Sequence, residues 1–247
     1  MVSRTRLCAV PLVCAFVVVP TASAADGGLS VTPAVLEHRA NLGKVGSFTL
    51  SNTTKETLRV KITVRPWRQQ LNGTVISDPR ANLTRYVRAT RRSFNIRAGQ
   101  KVPVNFRLVR RPKGGSLFGN VDVFGKPTKK KGRKGIIPQY RLISAIRLTP
   151  RKAKVKLRTG AAQVRGRSVI LPVRNLGNTI QPVSGTYRLS GPTSRSGNIK
   201  GVPVVPGKLV GLNLGATRGL KKGRYTVTAS LTQAGKRISA RTSVTVR

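Results

Sequence analysis

Apolar and polar residues alternate along most of the chain. In the segments 58–64, 102–108 and 140–148, almost every second residue is apolar, and the residues between them are mostly basic or polar. A period of two is typical of a strand with one buried face. No stretch sustains the 3.6-residue period of an amphipathic helix, and Gly-containing turns such as Asn72-Gly73 separate the runs. The pattern therefore predicts an all-β protein built from short strands.

The alternation stops near residues 149–151 and starts again at 169–173. Short strands at this spacing favour sandwiches over a parallel sheet. We therefore predict two immunoglobulin-like β-sandwich domains in tandem, residues 25–150 and 151–247. The segment before Tyr225 resembles the entry to an immunoglobulin-type strand, where a tyrosine hydroxyl caps the corner.

The first residues have the pattern of an export signal. Arg4 and Arg6 precede an apolar run over 7–19, and small residues follow up to Ala24. This order predicts a signal peptide, residues 1–24, cleaved after Ala24. The apolar run is shorter than the roughly 20 residues of a membrane-spanning helix, and no later apolar run is long enough to span a membrane, so no transmembrane anchor is expected after cleavage. We expect an exported protein that is periplasmic, on the cell surface or secreted.

Short segments of the first domain resemble the N-terminal domain of PapD-like pilus-assembly chaperones. Residues 29–33 resemble the opening strand, 48–52 the second strand with its closing Asn, and 94–100 the stretch before the fifth strand. Residues 116–123 resemble the sixth strand, and 140–150 the seventh strand with the hinge. The two-domain order is also similar to that of surface proteins that partner WxL-domain proteins.

The resemblance implies that the seventh strand binds a strand of a cell-envelope or pilus-like protein. The residues implied in this contact are Tyr140, Leu142, Ile146 and Leu148. Alternatively, these side chains fill the core of their own sandwich, since one face of a strand must pack inward. The family's carboxylate-anchoring Arg and Lys align with Val35 and Ile143, neither of which binds a carboxylate.

Charge is the second informative feature. The chain has 48 Lys and Arg against 5 Asp and Glu, a formal net charge of +43. Residues 151–247 contain 20 of the basic residues and no acid. Such a surface favours a polyanion such as an anionic cell-wall polymer, although a solvated basic face is the alternative. The densest cluster is predicted to be a flexible loop between the sixth and seventh strands, with candidate polyanion-binding residues Lys126, Lys129, Lys130, Lys131, Arg133 and Lys134.

Export argues against nucleic acid as the natural ligand. Single-stranded nucleic acid binds on clustered aromatic rings, and the chain has only 1 Trp, 4 Tyr and 6 Phe, without a cluster. DNA would still bind in vitro through its phosphates.

Catalytic and metal-binding patterns are not found. His38 is the only histidine, both cysteines (Cys8 and Cys14) lie in the signal segment, and the five acids are scattered. These residues do not form a zinc site, a glycosidase carboxylate pair or a triad with a nucleophile elbow. We expect no enzyme activity, no metal and no cofactor.

The sequence therefore predicts an exported, non-catalytic protein that binds or chaperones a cell-envelope or pilus-like protein, partly by strand addition. The alternative hypothesis is a cationic envelope protein that binds anionic cell-wall polymer.

Overall fold

The computed structural model describes residues 27–129 and 137–247. Within these ranges the chain forms strands and turns without a helix, and it contains no helix able to cross a membrane. The predicted signal peptide lies outside the described residues. The predicted fold class, all-β with two immunoglobulin-like sandwiches, is confirmed.

The first sandwich consists of two sheets. One has the strand order β1-β3-β8-β6, and the other has the order β2-β10-β9-β4, with β5 and β7 also paired to β4. The strands are β1 (Leu29–Thr32), β2 (Val35–Arg39), β3 (Gly43–Asn52), β4 (Leu58–Gln69), β5 (Val75–Ser77), β6 (Val87–Ala89), β7 (Ser93–Ile96), β8 (Lys101–Leu108), β9 (Leu117–Pro127) and β10 (Tyr140–Thr149).

The second sandwich also has two sheets. In one, β13 pairs with β11, β12 and β16, and the other has the order β15-β14-β17-β18. The strands are β11 (Leu157–Thr159), β12 (Gln163–Arg165), β13 (Ser168–Asn175), β14 (Pro182–Ser190), β15 (Arg195–Pro203), β16 (Leu209–Ala216), β17 (Gly223–Gln233) and β18 (Lys236–Val246).

Period-two alternation places the apolar residues as predicted. Leu58, Val60, Ile62 and Val64 are buried in β4, with polar and basic residues between them on the outer face. One apolar core is formed by residues between 29 and 148, and a second by residues between 162 and 246. The division at 150 and 151 stays a prediction, but each of the two cores falls on one side of it.

The opening segment is divided between the two sheets of the first sandwich. β1 pairs antiparallel with β3, and after Pro33 the chain continues as β2, which pairs in parallel with β10. Leu36 is the one buried residue of β2. Its side chain lies 2.7 Å from the position that a Cβ would take on Gly46 of β3, where φ is +133°. Because Gly46 has no side chain at this β-bulge, the side chain of Leu36 can pack into the core.

The tyrosine corner predicted at Tyr225 is confirmed. Tyr225 is fully buried at the start of β17, and its hydroxyl donates to the carbonyl of Lys221 at 2.7 Å. The same hydroxyl lies 2.8 Å from the hydroxyl of Thr193. The hydrogen bonds satisfy the polar end of a ring that otherwise packs in the apolar core.

A buried asparagine closes one strand in each domain. Asn52 ends β3 and Asn175 ends β13, and both have 0% exposure. The Nδ2 of Asn52 donates to three main-chain carbonyls, those of Glu56 (2.7 Å), Ile96 (3.1 Å) and Arg97 (3.0 Å). The Nδ2 of Asn175 donates to the carbonyls of Thr179 and Val204, both at 2.7 Å. Each amide thus joins neighbouring loops that carry unpaired carbonyls.

The two domains are joined by hydrogen bonds at the end of β4. The side chain of Gln69 donates to the carbonyl of Pro203 (2.6 Å) and accepts from the N–H of Val205 (2.9 Å). The carbonyl of Leu71 accepts from the N–H of Gly211 at 2.7 Å. These contacts tie the β4–β5 turn of the first domain to β15 and β16 of the second.

We predict that Asn52→Asp destabilises the protein, and more strongly at pH 7 than at pH 4. The variant replaces a buried donor with an oxygen that faces three carbonyls, which we expect to cost at least about 3 kcal/mol at pH 7. Burial raises the pKa of the new carboxyl, so the folded state binds more protons than the unfolded state. Stability then falls as the pH rises above about 4, the ordinary Asp value.

Urea unfolding at the two pH values measures this effect. Asn72→Asp is the matched control, because Asn72 is exposed and uses its Oδ1 to accept from the N–H of Thr74 at 3.0 Å. We expect the control to change stability by less than about 0.5 kcal/mol. An Asn52→Asp variant that is equally stable at both pH values contradicts the donor role.

Candidate functional site

The N-terminal half of β10 has one paired edge. β9 pairs with β10 from Tyr140 to Leu148, whereas β2 pairs with it only from Ala145 onward. Within the part of the chain that the structure describes, no strand pairs with the other side of residues 140–144. We call this segment the free edge. An unpaired edge presents main-chain donors and acceptors to an added strand.

The main-chain groups of Arg141 and Ile143 point away from β9. The N–H of Ala145 donates to the carbonyl of Ala34 at 3.0 Å, so the main-chain groups of residue 145 face β2. Main-chain direction alternates along a strand. The N–H and C=O groups of Arg141 and Ile143 therefore face the same side as those of Ala145, beyond the end of β2.

The structure separates the four predicted partner-binding residues into two pairs. Tyr140 and Leu142 lie on the free edge and are half-buried against the core of the first domain. Ile146 and Leu148 have 0% exposure, and their strand segment is paired on both sides. The partner-strand prediction is therefore corrected for Ile146 and Leu148, which fill their own core. For Tyr140 and Leu142 it stays a prediction.

The outer face of the free edge is partly apolar. Ile143 is 54% exposed, and Val35, which lies opposite Ala145, is 39% exposed. These are the two residues that the sequence aligns with the carboxylate-anchoring cations of PapD-like chaperones. The structure places them near each other along β2 and β10, but it does not test that alignment.

Asp122 holds the outer face of β10 in place from the neighbouring strand. It is 8% exposed and forms ion pairs with Arg65 (3.1 Å) and Arg141 (3.2 Å). Its other oxygen accepts from the hydroxyl of Ser77 at 3.0 Å. One of these ion pairs holds Arg141 at the free edge.

A chain of hydrogen bonds joins Asp122 to the cleft between the domains. Ser77 accepts from the Nδ2 of Asn120 at 2.8 Å, and the Oδ1 of Asn120 accepts from the indole N–H of Trp67 at 2.6 Å. Trp67 packs near Val205 of the second domain and stacks on Phe118 with 5.9 Å between ring centroids. One polar network therefore runs from the cleft to the free edge.

Arg147 lies in the cleft and was not singled out by the sequence. Its guanidinium carbon is 5.8 Å from the centre of the Trp67 ring, and its Nε is buried without a hydrogen-bond partner in the described chain. Alternation places Arg147 on the outer face of β10, but nothing in the sequence shows that the second domain covers that face. The cleft therefore contains a cation that is partly withdrawn from solvent.

The structure describes two residues of the predicted basic cluster. Lys126 lies in β9, opposite Arg59 of β4, and Lys129 is exposed just after that strand. The prediction that the loop begins at Lys126 is wrong, because β4 is long enough to pair with β9 as far as Pro127. Lys130, Lys131, Arg133 and Lys134 lie outside the described residues.

Comparison with known proteins gives matches among solved structures alone. No family model matches this sequence, and no curated protein matches it. A chain from the chaperone–tip adhesin complex of CFA/I fimbriae biogenesis matches with a TM-score of 0.56 at 14% identity, covering 87% of this chain and 98% of that chain. The class 5 fimbriae chaperone CfaA matches with a TM-score of 0.53 at 14% identity, covering 87% and 99%.

At this level of identity the likeness concerns the fold. The chain has the fold of the two-domain PapD-like fimbrial chaperones. This confirms, for the fold, the resemblance noted from the sequence segments. The similarity to partners of WxL-domain proteins stays a prediction.

We predict that Asp122→Asn loosens the free edge without unfolding the protein. The variant keeps an acceptor for Ser77 but loses the charge that holds the two arginines, and we expect a loss of about 1–3 kcal/mol. Relative to wild type, the variant should exchange its amide hydrogens faster at residues 139–144, with a smaller change at the centre of β9.

Asp78→Asn is the control, because it removes the same charge from a carboxyl whose Oδ1 accepts from the N–H of Arg80 at 3.0 Å, a bond that the amide oxygen of Asn can keep. Equal exchange rates at residues 139–144 in wild type and Asp122→Asn contradict a holding role for the ion pair.

Proposed function

We propose that this chain is an exported, non-catalytic chaperone or binding protein for a cell-envelope or pilus-like protein. It takes up a strand of that partner along the free edge of β10. The observation that carries the proposal is the end of the β2 pairing at Ala145, which leaves the main-chain groups of Arg141 and Ile143 open to an added strand.

The side chains around the free edge suit a strand with alternating apolar residues. Tyr140 and Leu142 are half-buried on the core side, and Ile143 is exposed on the outer side. In strand addition, main-chain hydrogen bonds supply affinity and pockets for alternate side chains supply specificity. The comparison supports this role, because one solved chain with this fold comes from a chaperone–tip adhesin complex.

The net charge adds a long-range attraction to the proposal. A protein with a formal charge of +43 is drawn to an anionic partner surface before any strand pairs. The alternative, binding of anionic cell-wall polymer through the basic cluster and the second domain, stays a prediction. Salt separates the two hypotheses, since surface charge contacts are strongly screened near 0.5 M, where the Debye length is about 4 Å.

Capture from envelope extract by the mature protein, residues 25–247, tests the proposal. We predict that a discrete protein stays bound at high salt and protects the amides of residues 141 and 143 from hydrogen exchange. Recovery of anionic polymer alone, and only at low salt, contradicts the proposal and favours the alternative.

Ile143→Pro and Ile143→Ala form a matched pair for the same experiment. Proline removes the N–H that faces the free side, and it is tolerated where that N–H makes no bond within the sheet. Alanine removes the side chain but keeps the N–H. We predict that proline weakens capture at least about tenfold, since one partner carbonyl loses its donor, and that alanine has a smaller effect. Equal capture by both variants contradicts strand addition at this edge.

A further inference from the structure

A groove of about 920 Å³ lies on the outer face of the larger sheet of the first domain. Its floor is formed by β4 and β9, and its walls come from the segment before β7 and from residues 79–84. In the described part of the chain no Asp or Glu lines the groove. Six cationic residues line it, namely Arg59, Lys61, Arg65, Arg80, Arg92 and Lys126.

One of the six cations has a structural role. The Nε of Arg65 pairs with Asp122 at 3.1 Å, and its guanidinium donates to the carbonyl of Pro79 at 2.6 Å. Arg65 therefore fastens the loop that forms one wall. Asp122 is fully engaged by Arg65, Arg141 and Ser77, and Asp78 caps its own loop at Arg80. The contacts of Asp78 and Asp122 are therefore made with groups other than the remaining cations.

Four of the remaining cations lie close together at one end of the groove. Arg59 of β4 is directly opposite Lys126 of β9. Lys61 is opposite Ser93 of β7, and Arg92 directly precedes that strand. Directly opposed residues have Cβ atoms about 5 Å apart, and like charges in this arrangement repel each other. The sheet therefore holds these cations together in a groove whose described lining contains no Asp or Glu.

The floor between these cations is an aromatic ring. Phe124 lines the groove, is half-buried and lies opposite both Lys61 of β4 and Arg141 of β10. Water therefore has limited access to the cations from below, which strengthens their attraction to an anion above them.

We propose that this groove, lined by Arg59, Lys61, Arg92 and Lys126, binds a phosphate group. A phosphate carries up to two negative charges and three strong acceptor oxygens, so one group satisfies several closely spaced cations. A carboxylate has one charge and two oxygens. Arginine also forms paired hydrogen bonds with phosphate. The phosphate is a monoester, on a soluble compound or on a lipid headgroup, and the two sources share this chemistry.

Titration calorimetry with pyrophosphate at about 0.15 M salt, where the Debye length is about 8 Å, tests the proposal. Arg59→Gln with Lys126→Gln removes the opposed pair and keeps the side-chain stems. We expect at least about tenfold weaker binding, since two charged hydrogen-bond donors to the phosphate are lost. The folded variant should be at least as stable as wild type to heat, because a repulsive pair is removed.

Arg188→Gln with Arg224→Gln is the matched control. Both arginines are exposed on strands of the second domain, and Arg188 is the one cation that lines a groove on the outer face of its sheet. The control removes the same charge, and we expect less than about a twofold change in affinity, as for diffuse screened charge. Equal losses in the two double variants overturn the proposal, as does undetectable binding by wild type. If Arg59→Gln with Lys126→Gln does not fold, Lys61→Gln with Arg92→Gln takes its place under the same criteria.

Vesicles of phosphatidic acid, a phosphomonoester, in phosphatidylcholine identify the source of the phosphate. Pyrophosphate that displaces the protein from these vesicles, with the same dependence on Arg59 and Lys126, assigns the site to lipid headgroups. Groove-dependent pyrophosphate binding without groove-dependent vesicle binding assigns it to a soluble phosphate compound. The site lies on a sheet face and not at the free edge, so Ile143→Pro should bind pyrophosphate as wild type does. The two proposals therefore fail independently.

Discussion

The length of the parallel pairing between β2 and β10 determines how much of β10 keeps an unpaired edge. β2 follows β10 only from Ala145 to Thr149, and its one buried anchor is Leu36, seated against Gly46 of β3. Before that point the chain belongs to the opposite sheet as β1. Because the opening segment serves both sheets, it cannot cover all of β10. The same division that closes the sandwich thus leaves one half-strand with unpaired main-chain groups.

Polar side chains inside the structure keep this arrangement rigid. Asn52 and Asn175 join loops at the ends of corresponding strands, and Gln69 joins one domain to the other through main-chain groups. Asp122 connects the free edge to the tryptophan in the cleft through a short network. Buried groups of this kind are costly when unpaired and specific when fully paired. Asp122 is one of only five acids in the chain, and one of its ion pairs lies beside the free edge.

Local pattern predicts much of the fold, and non-local pairing accounts for the errors. Alternation in β4 and the corner at Tyr225 depend on neighbouring residues, and both were predicted. Tyr140 and Ile146 belong to one unbroken alternation, yet only the second is covered by β2. The sequence of a strand does not show how far a strand that is distant along the chain will pair with it. For the same reason Lys126 lies in a strand and not in a loop, and the sequence does not reveal that Arg147 lies over the ring of Trp67.

The composition of the second domain has a consequence for its behaviour in acid. Residues 151–247 contain no Asp, Glu or His. Acid unfolding arises when carboxylates that are paired in the folded state take up protons, or when buried neutral histidines become charged. Between neutral pH and strong acid, no side chain of this domain has a proton to gain. Acidification of its surroundings therefore alters the side-chain charge of the first domain alone, and the side chains of the second domain contribute to its response to salt but not to its response to acid.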